Sequence, residues 1–490
     1  MSSIQAPRLR SVNDRPEQKD GAFVLYWMTA ARRPGWNFAL QRAVRVAERK
    51  ELPLVVLEGL RAGYRWASPR HHAFVLQGMR DHAEHFAARG VRYLPYVEPA
   101  PGAGRGLLAA LAKRAALVVA DDWPCFFLPR MLTRAAAELD VRVEAVDAAG
   151  IVPFRVPETT FPTAYAFRRW LQKHLRPYFD EPPLADPLDG VRLPRADALP
   201  RGVESRWPLA SPALLAAEPA ELARLPLDRA VAPVAREGGF VAGRRALADF
   251  VRRRLPRYAE ERSEPAGDAS SGLSPWLHYG HVSVHEVLAA VTARERWTPQ
   301  RLASTTAGKK EGWWNLDASA EAFLDELVTW RELGFNFCAR RPDYDRYESL
   351  PDWARATLDL HAQDPREHRY TRDELESSAT HDPLWNAAQR QLAREGIIHN
   401  YLRMLWGKKV LEWSPSPQAA LETLIELNNR WAIDGRDPNS YSGIFWVFGR
   451  YDRPWAPERK VFGSIRYMSS QNTARKFDVE PYLERYGPST

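Results

Sequence analysis

Two domains are expected of this chain, a doubly wound α/β domain followed by an all-α domain. Three observations predict them: short β-rich apolar runs alternate with helical stretches from residue 22 to about 155, a proline-rich stretch then breaks both patterns, and the chain beyond about 240 reads as helix. A length of 490 residues is also more than one domain comfortably uses.

The runs AFVLYWM (22–28), LPLVVLEGL (52–60), VRYLPYV (91–97), AALVVADD (115–122) and VRVEAVD (141–147) are continuous rather than alternating, as expected of strands covered on both faces. Helical stretches such as Phe38 to Arg49 and His72 to Ala88 separate them. Right-handed crossovers would therefore make the strands parallel and put a ligand crevice at their carboxyl ends. Residues 181–236 hold about ten prolines and few periodic apolar positions, which marks a connector with short helices. The expected boundaries are 22–155 for the α/β domain, 156–240 for the connector and 241–485 for the helical domain, where Val461 to Met468 is the one strand candidate. No tandem repeat or heptad run appears. Gly102-Ala103-Gly104-Arg105-Gly106 fails the GxGxxG spacing and reads as a flexible loop; Walker, HExxH and GxSxG motifs are absent.

With 45% hydrophobic and 27% charged residues the composition is globular. No apolar run reaches the roughly 20 residues of a membrane span, and the polar start MSSIQAPRLRSVNDRPEQKD has no signal-peptide core, so a cytoplasmic protein is expected. Two cysteines, Cys125 and Cys338, exclude a disulfide scaffold and a Cys-rich metal site. The net charge of +8 permits a basic face for a polyanion such as DNA. Tryptophan is abundant, at 18 residues, most of them beyond residue 270.

Four local groups in the C-terminal half could carry chemistry. Ser270-Ser271-Gly272-Leu273-Ser274-Pro275 gathers hydroxyls and backbone N–H groups before a helical run at Trp276 to Tyr279, as a phosphate site or as a plain serine cap. On an expected helix Phe323 to Phe337, Glu326 lies three residues after Phe323 and four before Trp330. It therefore shares a face with two rings, either as a paired structural acid or as a proton partner in a cleft. Asn400, Arg403 and Trp406 recur at helical spacing, Trp413 lies two turns further on that face, and Trp385 sits on the preceding helix; a packing seam has the same spacing. Asn428 and the loop Asp434-Gly435-Arg436-Asp437-Pro438-Asn439-Ser440-Tyr441 follow as a polar-ligand loop or a capped turn.

In this order, the strings LSPWLHYGHVS (273–283), THDPLWNAAQ (380–389), LRMLWGKKVLEW (402–413), DGRDPNSYSG (434–443) and VFGSIRYM (461–468) resemble the class II branch of the photolyase/cryptochrome family. YWMTAARRPGWNFAL (26–40) resembles its opening strand and helix. The resemblance spans roughly residues 22–480. It implies a Rossmann-like antenna domain, a helical FAD-binding domain, and light-driven repair of cyclobutane pyrimidine dimers in DNA by a monomeric carbon–carbon lyase. A second antenna chromophore of deazaflavin or folate type would be the remaining cofactor.

By the same resemblance, Tyr258, Ser270, Ser271, Gly272, Leu273 and Ser274 hold the FAD diphosphate and ribityl chain, as Asp437 in the flavin loop is placed to assist. Arg403 and Asp434 pair beside the flavin with Asn400 in support, and Asn428 faces flavin N5. Glu326 hydrogen-bonds the dimer carbonyls, while Trp330, Met404 and Trp446 wall the dimer pocket. Arg453 and Trp455 fill the gap left in DNA by the flipped lesion. Trp406, Trp385 and Trp413 form an electron path from flavin to surface. The excited reduced flavin gives an electron to the dimer, two ring bonds open and the electron returns, so neither a nucleophile nor a metal is required.

Two departures stand out. The family's usual Asp-Asn-Trp in the first helix is Trp36-Asn37-Phe38 here, and the usual Asn-Gly-Tyr of the flavin loop is Asn439-Ser440-Tyr441. The rival expectation is a cryptochrome-like blue-light sensor, which would keep the flavin pocket and indoles while losing the lesion contacts; Glu326, Trp330, Met404, Trp446 and Arg453 are all retained. A non-photochemical basic DNA-binding protein is the third.

Overall fold

A computed structural model describes residues 4–196 and 199–488. Packing divides the chain into two units, each assembled from three segments. The first holds residues 1–156, 175–248 and 273–294, and the second holds 157–174, 249–272 and 295–490.

The first unit is built on a six-stranded sheet of order β1-β6-β5-β2-β3-β4. Its strands are β1 (Leu9–Ser11), β2 (Phe23–Met28), β3 (Leu54–Leu60), β4 (Arg92–Val97), β5 (Ala115–Asp121) and β6 (Val143–Val146). All neighbours are parallel except β1, which runs antiparallel to β6 at the edge. The five continuous apolar runs are therefore the five parallel strands. Along β2, Phe23, Leu25 and Trp27 enter one core while Val24, Tyr26 and Met28 enter another, which is why the strand reads as unbroken apolar sequence. Helix α1 (Phe38–Lys50) packs on the second core, and helices α2 (Pro69–Ala88), α3 (Leu107–Ala112) and α4 (Leu128–Glu138) complete the cover. Asn37 caps α1 by accepting from the Ala39 and Leu40 N–H groups.

The connector contributes directly to these cores. Val203 and Trp207 join the core of α3 and α4, and Leu215, Leu222 and Leu225 pack with α2. Short helices carry Val203, Leu215 and Leu222, as the proline spacing suggests.

Two features of the sheet's carboxyl end bear on ligand binding. At the switch point between β2 and β5, Asp121 accepts hydrogen bonds from the Thr29, Ala30 and Ala31 N–H groups and from the Tyr26 hydroxyl. The loop at Gly102–Gly106 spends its N–H groups on a carboxylate, since Glu98 accepts from Gly102 and Gly104 as well as Ala62. That bond set ties the loop down and places negative charge where a phosphate would sit.

A closed charge network lies inside the same unit. Glu58 of β3 is fully buried and accepts from Arg32 at 2.7 Å and from the Tyr93 hydroxyl at 2.6 Å, with His82 Nδ1 at 2.7 Å. These partners outweigh the cost of burial and hold its carboxyl at about 2.

The second unit is helical. Helix Asn400–Trp413 packs against helices Pro383–Glu395, Pro417–Trp431 and Pro438–Val447. Helix Arg331–Arg340 packs on Pro438–Val447, where a Cβ at Gly334 would come 2.8 Å from Asn439 Cα. The strand candidate Val461 to Met468 is not a strand. Val461 and Gly463 both adopt positive φ, and Gly463 forms only an isolated bridge with Arg459, so the backbone turns back before it can extend.

Candidate active site in the helical unit

The expected helix through Glu326 is interrupted by a π-turn over Asp325–Trp330, between helical segments Ala318–Leu324 and Arg331–Arg340. The widened turn replaces the simple face shared by Phe323, Glu326 and Trp330. Phe323 is buried against Phe250 and Tyr258, at ring distances of 4.6 and 5.4 Å. Asp325 is buried in a bidentate pair with Arg168, at 2.6 and 2.8 Å, which pins the turn. Glu326 accepts instead from Arg262 Nη1 at 2.8 Å and keeps 35% of its side chain exposed. Burial by the surrounding protein raises its pKa, the Arg262 charge opposes that shift, and Asp325 adds to it. Arg262 also hydrogen-bonds Tyr258, whose own pKa is raised by burial and by the Glu326 charge.

A second cluster lies along helix Asn400–Trp413. Arg403 donates to Asn428 Oδ1 at 3.2 Å and reaches Asp434 at 3.3 and 3.5 Å, long contacts for a charge pair. Asn428 is 2% exposed and donates to Ser440 Oγ at 2.6 Å and Asn429 Oδ1 at 3.2 Å. The serine that departs from the family's glycine is thus the partner of this amide. Asn400 is exposed and makes no hydrogen bond to the Arg403–Asp434 pair, so the support expected of it comes from Asn428. Asp437 caps helix Pro438–Val447 by accepting from the Asn439 N–H.

His399, immediately before helix Asn400–Trp413, sits beside the Arg262 backbone, which favours its charged form, but burial outweighs this. Burial holds it neutral, with a pKa near 4.

The three indoles are in contact. Trp385 and Trp406 stack with ring centres 6.4 Å apart and planes at 6°, and Trp385 meets Trp413 edge-on at 5.5 Å. Trp385 Nε1 donates to the Trp406 carbonyl, and Trp406 Nε1 to Gln389 Oε1. All three are buried; Trp413, expected to reach the surface, is 2% exposed.

In the serine loop, Ser270 is exposed and its carbonyl accepts from Arg254, while Gly272 takes φ +61°. The chain then enters the first unit, where Leu273 is buried and Ser274 opens a helix of five residues, Ser274–His278, with no side-chain cap. So short a helix has little dipole to offer a phosphate.

On the expected lesion side, Trp330, Met404 and Trp446 are each half-buried. Trp455 is 37% exposed and donates to Asp452 Oδ1, with the Arg453 guanidinium 5.2 Å from its ring. Arg466 lies over both Trp446 and Trp455, at 5.8 and 5.1 Å. Arg262, His399 and Arg466 were missed from sequence. Arg466 stands inside VFGSIRYM and could have been flagged, whereas Arg262 lies 64 positions from Glu326 with no local signal linking them.

The sheet unit and the helical unit, the latter with a buried row of touching indoles, together define a two-unit α/β-plus-helical protein. The chain belongs to the photolyase/cryptochrome family. It is 33% identical to the deoxyribodipyrimidine photo-lyase of Methanothermobacter thermautotrophicus over 98% of both chains. It is 34% identical to that of Potorous tridactylus, covering 99% of this chain and 85% of the relative. For that of Oryza sativa the identity is 35%, over 95% and 87%. The fold matches a bacterial class III photolyase from Agrobacterium tumefaciens with a TM-score of 0.70 at 18% identity, covering 97% and 88%. It matches a Synechocystis cryptochrome at 0.67, with 18% identity over 95% and 88%. No family model matches the chain.

Proposed function

We propose that this protein is a light-dependent lyase that repairs pyrimidine dimers in DNA, of the class II branch and acting on cyclobutane dimers. The observation that carries the reading is identity of 33–35% to deoxyribodipyrimidine photo-lyases across nearly the whole chain. The retained Glu326 with its raised pKa and the exposed Arg453–Trp455 pair favour repair over a purely sensory role.

The donor set suits FAD: Arg403 is held only loosely by Asp434, the Asn428 amide is fixed from both ends, and hydroxyls gather at Ser270 and Ser271. Tyr258, Ser270 to Ser274, Arg403, Asn428, Asp434 and Asp437 would hold it, with Asn400 at the margin. When bound, reduced and excited by light, FAD supplies the electron that opens the dimer. The protein's share is positional and electrostatic. Trp330, Met404 and Trp446 would exclude water and hold the flipped dimer, and Glu326 would hydrogen-bond its carbonyls once Arg262 yields. Arg403 would stabilise negative charge beside the cofactor, with Asn428 orienting the guanidinium. Arg453 and Trp455 would occupy the vacated base stack. Trp406, Trp385 and Trp413 would carry electrons inward to recharge the cofactor. An antenna chromophore of deazaflavin or folate type would belong to the sheet unit.

The test is the absorption spectrum of the purified protein followed by illumination with dimer-containing DNA. The expected result is a flavin spectrum and light-dependent loss of dimers. A flavin-free protein, or dimers that persist under light with reduced flavin present, would overturn the reading.

A further inference from the structure

Helix Asn400–Trp413 buries a lysine beside a wall of the proposed dimer pocket. Lys408 is 1% exposed, and its Nζ donates to the Val447 carbonyl at 2.5 Å. Val447 ends helix Pro438–Val447, whose last carbonyls must find donors outside the helical ladder. Those of Phe445 and Trp446 are met by the N–H groups of Phe448, Gly449 and Arg450, and that of Val447 by the lysine. Gly407 lets the two helices come this close, since a Cβ there would lie 2.5 Å from Val447 Cγ2. The ammonium also lies 5.7 Å from the centre of the Trp446 ring, within the range of a cation–π contact. It therefore holds this indole twice, through the ring and through the carbonyl of the next residue. The turn that follows leads to the exposed pair. The Asp452 N–H donates to the Gly449 carbonyl, and the Asp452 carboxylate accepts from the Arg453 N–H at 2.9 Å and from Trp455 Nε1 at 3.0 Å.

We propose that Lys408 is a positioning residue for lesion recognition, whose ammonium fixes Trp446 and the turn bearing Arg453 and Trp455, so that loss of its proton weakens binding of a dimer. This rests on the reading of Trp446 as a wall of the dimer pocket. Among the described residues, the lysine nitrogen has a single hydrogen-bond partner, the neutral Val447 carbonyl. A charge buried on those terms costs the fold stability rather than adding to it. What it supplies is attachment at one place, between the helix that carries the indole and the helix behind it.

The surroundings bring that proton within reach of ordinary pH. Burial lowers the Lys408 pKa to about 7, with Asp452 opposing the shift and Arg466 adding to it. The ammonium is therefore present below neutrality and lost as pH rises through that value, far below the usual lysine range. Negative charge brought by DNA favours the protonated form, so that binding and protonation support each other.

The experiment is titration of dimer-containing and undamaged duplex DNA with the flavin-loaded protein at one salt concentration, from about pH 6 to about pH 9, in wild type, Lys408→Met and Lys408→Arg. In wild type, the preference for the dimer should fall about tenfold across this range, the scale of one hydrogen bond to a charged group. Lys408→Met keeps the bulk of the stem without the charge and should show the weaker preference at every pH. Lys408→Arg, charged throughout, should show the stronger one at every pH. Denaturant unfolding separates positioning from support of the fold: because the buried ammonium is costly, Lys408→Met should unfold at the same or a higher denaturant concentration. A wild-type preference that is flat with pH, or one that stays pH-dependent in Lys408→Met, would overturn this proposal and leave the proposed function standing. Loss of stability together with lesion preference in Lys408→Met would reduce the lysine to a structural cap and overturn it too. Equal binding of dimer and undamaged duplex by wild type at every pH would sink both this proposal and the repair reading.

Discussion

Glu58 in the sheet unit and Glu326 in the helical unit are both glutamates paired with an arginine, and they differ in almost everything else. Glu58 is sealed, with Arg32, His82 and Tyr93 all bonded to it, and its pKa is held at about 2. Glu326 has one bonded partner of this kind, Arg262, keeps a third of its side chain exposed and has its pKa raised. A carboxylate whose partners exceed its needs fixes a fold. One whose partners fall short of its desolvation is poised to accept another donor.

The same substitution should separate the two sites. Glu58→Gln leaves Arg32 without its buried counter-charge and should cost about 3–5 kcal/mol of stability, read by denaturant unfolding. Stability unchanged within error would mean that the network is not what locks β3. Acid should produce the matching effect. Folding depresses the Glu58 pKa, so its contribution is complete above the ordinary carboxylate range near 4.5 and is lost as pH falls toward 2. A wild-type stability curve flat across that window would contradict it.

Glu326→Gln should do the reverse, leaving stability within about 1 kcal/mol, since the pair is part-exposed, while repair yield falls several-fold through loss of a charge-assisted contact. Its pH signature has the opposite sense as well. Because the Glu326 pKa is raised, the acid limb of repair should lie above the ordinary carboxylate range and should shift or vanish in the variant. Repair at the wild-type quantum yield would remove Glu326 from its role.

For Arg453 and Trp455 the comparison is between DNA forms. Changing both to Ala should weaken binding to a dimer in duplex by about 1–3 kcal/mol, the scale of one base-stacking contact. A dimer in single-stranded DNA should bind nearly as before, and equal losses on both forms would reduce the pair to phosphate contacts. The smallest effect is expected from Ser440→Gly, which removes one neutral hydrogen bond from Asn428, about 0.5–1.5 kcal/mol. It should be visible as a shifted flavin spectrum rather than lost repair, and an unaltered spectrum would mean that Asn428 is held by Arg403 and Asn429 alone.

What could be read from sequence was what repeats locally. Five strands announced themselves because a strand covered on both faces is apolar at every position, and Trp406 and Trp413 because their spacing along helix Asn400–Trp413 is regular. Strand β1 was invisible because three half-exposed edge residues have no periodicity to show. The π-turn was invisible too, since nothing in the string Asp325 to Trp330 distinguishes it from ordinary helix, and the Arg168 that pairs with its first residue lies 157 positions away. Among site residues, Arg403 and Asp434 were legible through the motif strings, and Asn428 only as a polar residue just before the loop that carries Asp434. Arg262 and His399 were not, because their roles arise only when separate segments meet.

The interleaving of the two units has a consequence for synthesis. The first unit needs residues 273–294, including His281, whose ring packs on Phe74 and accepts from the Gly239 N–H. When the sheet strands have all emerged from the ribosome, at residue 146, the unit still lacks its connector helices and this last segment. At about 5–20 residues per second, the nascent sheet waits for roughly 7–30 seconds with part of its apolar surface uncovered. The order of translation, rather than the stability of the finished fold, sets when this protein is most exposed to chaperones and to aggregation.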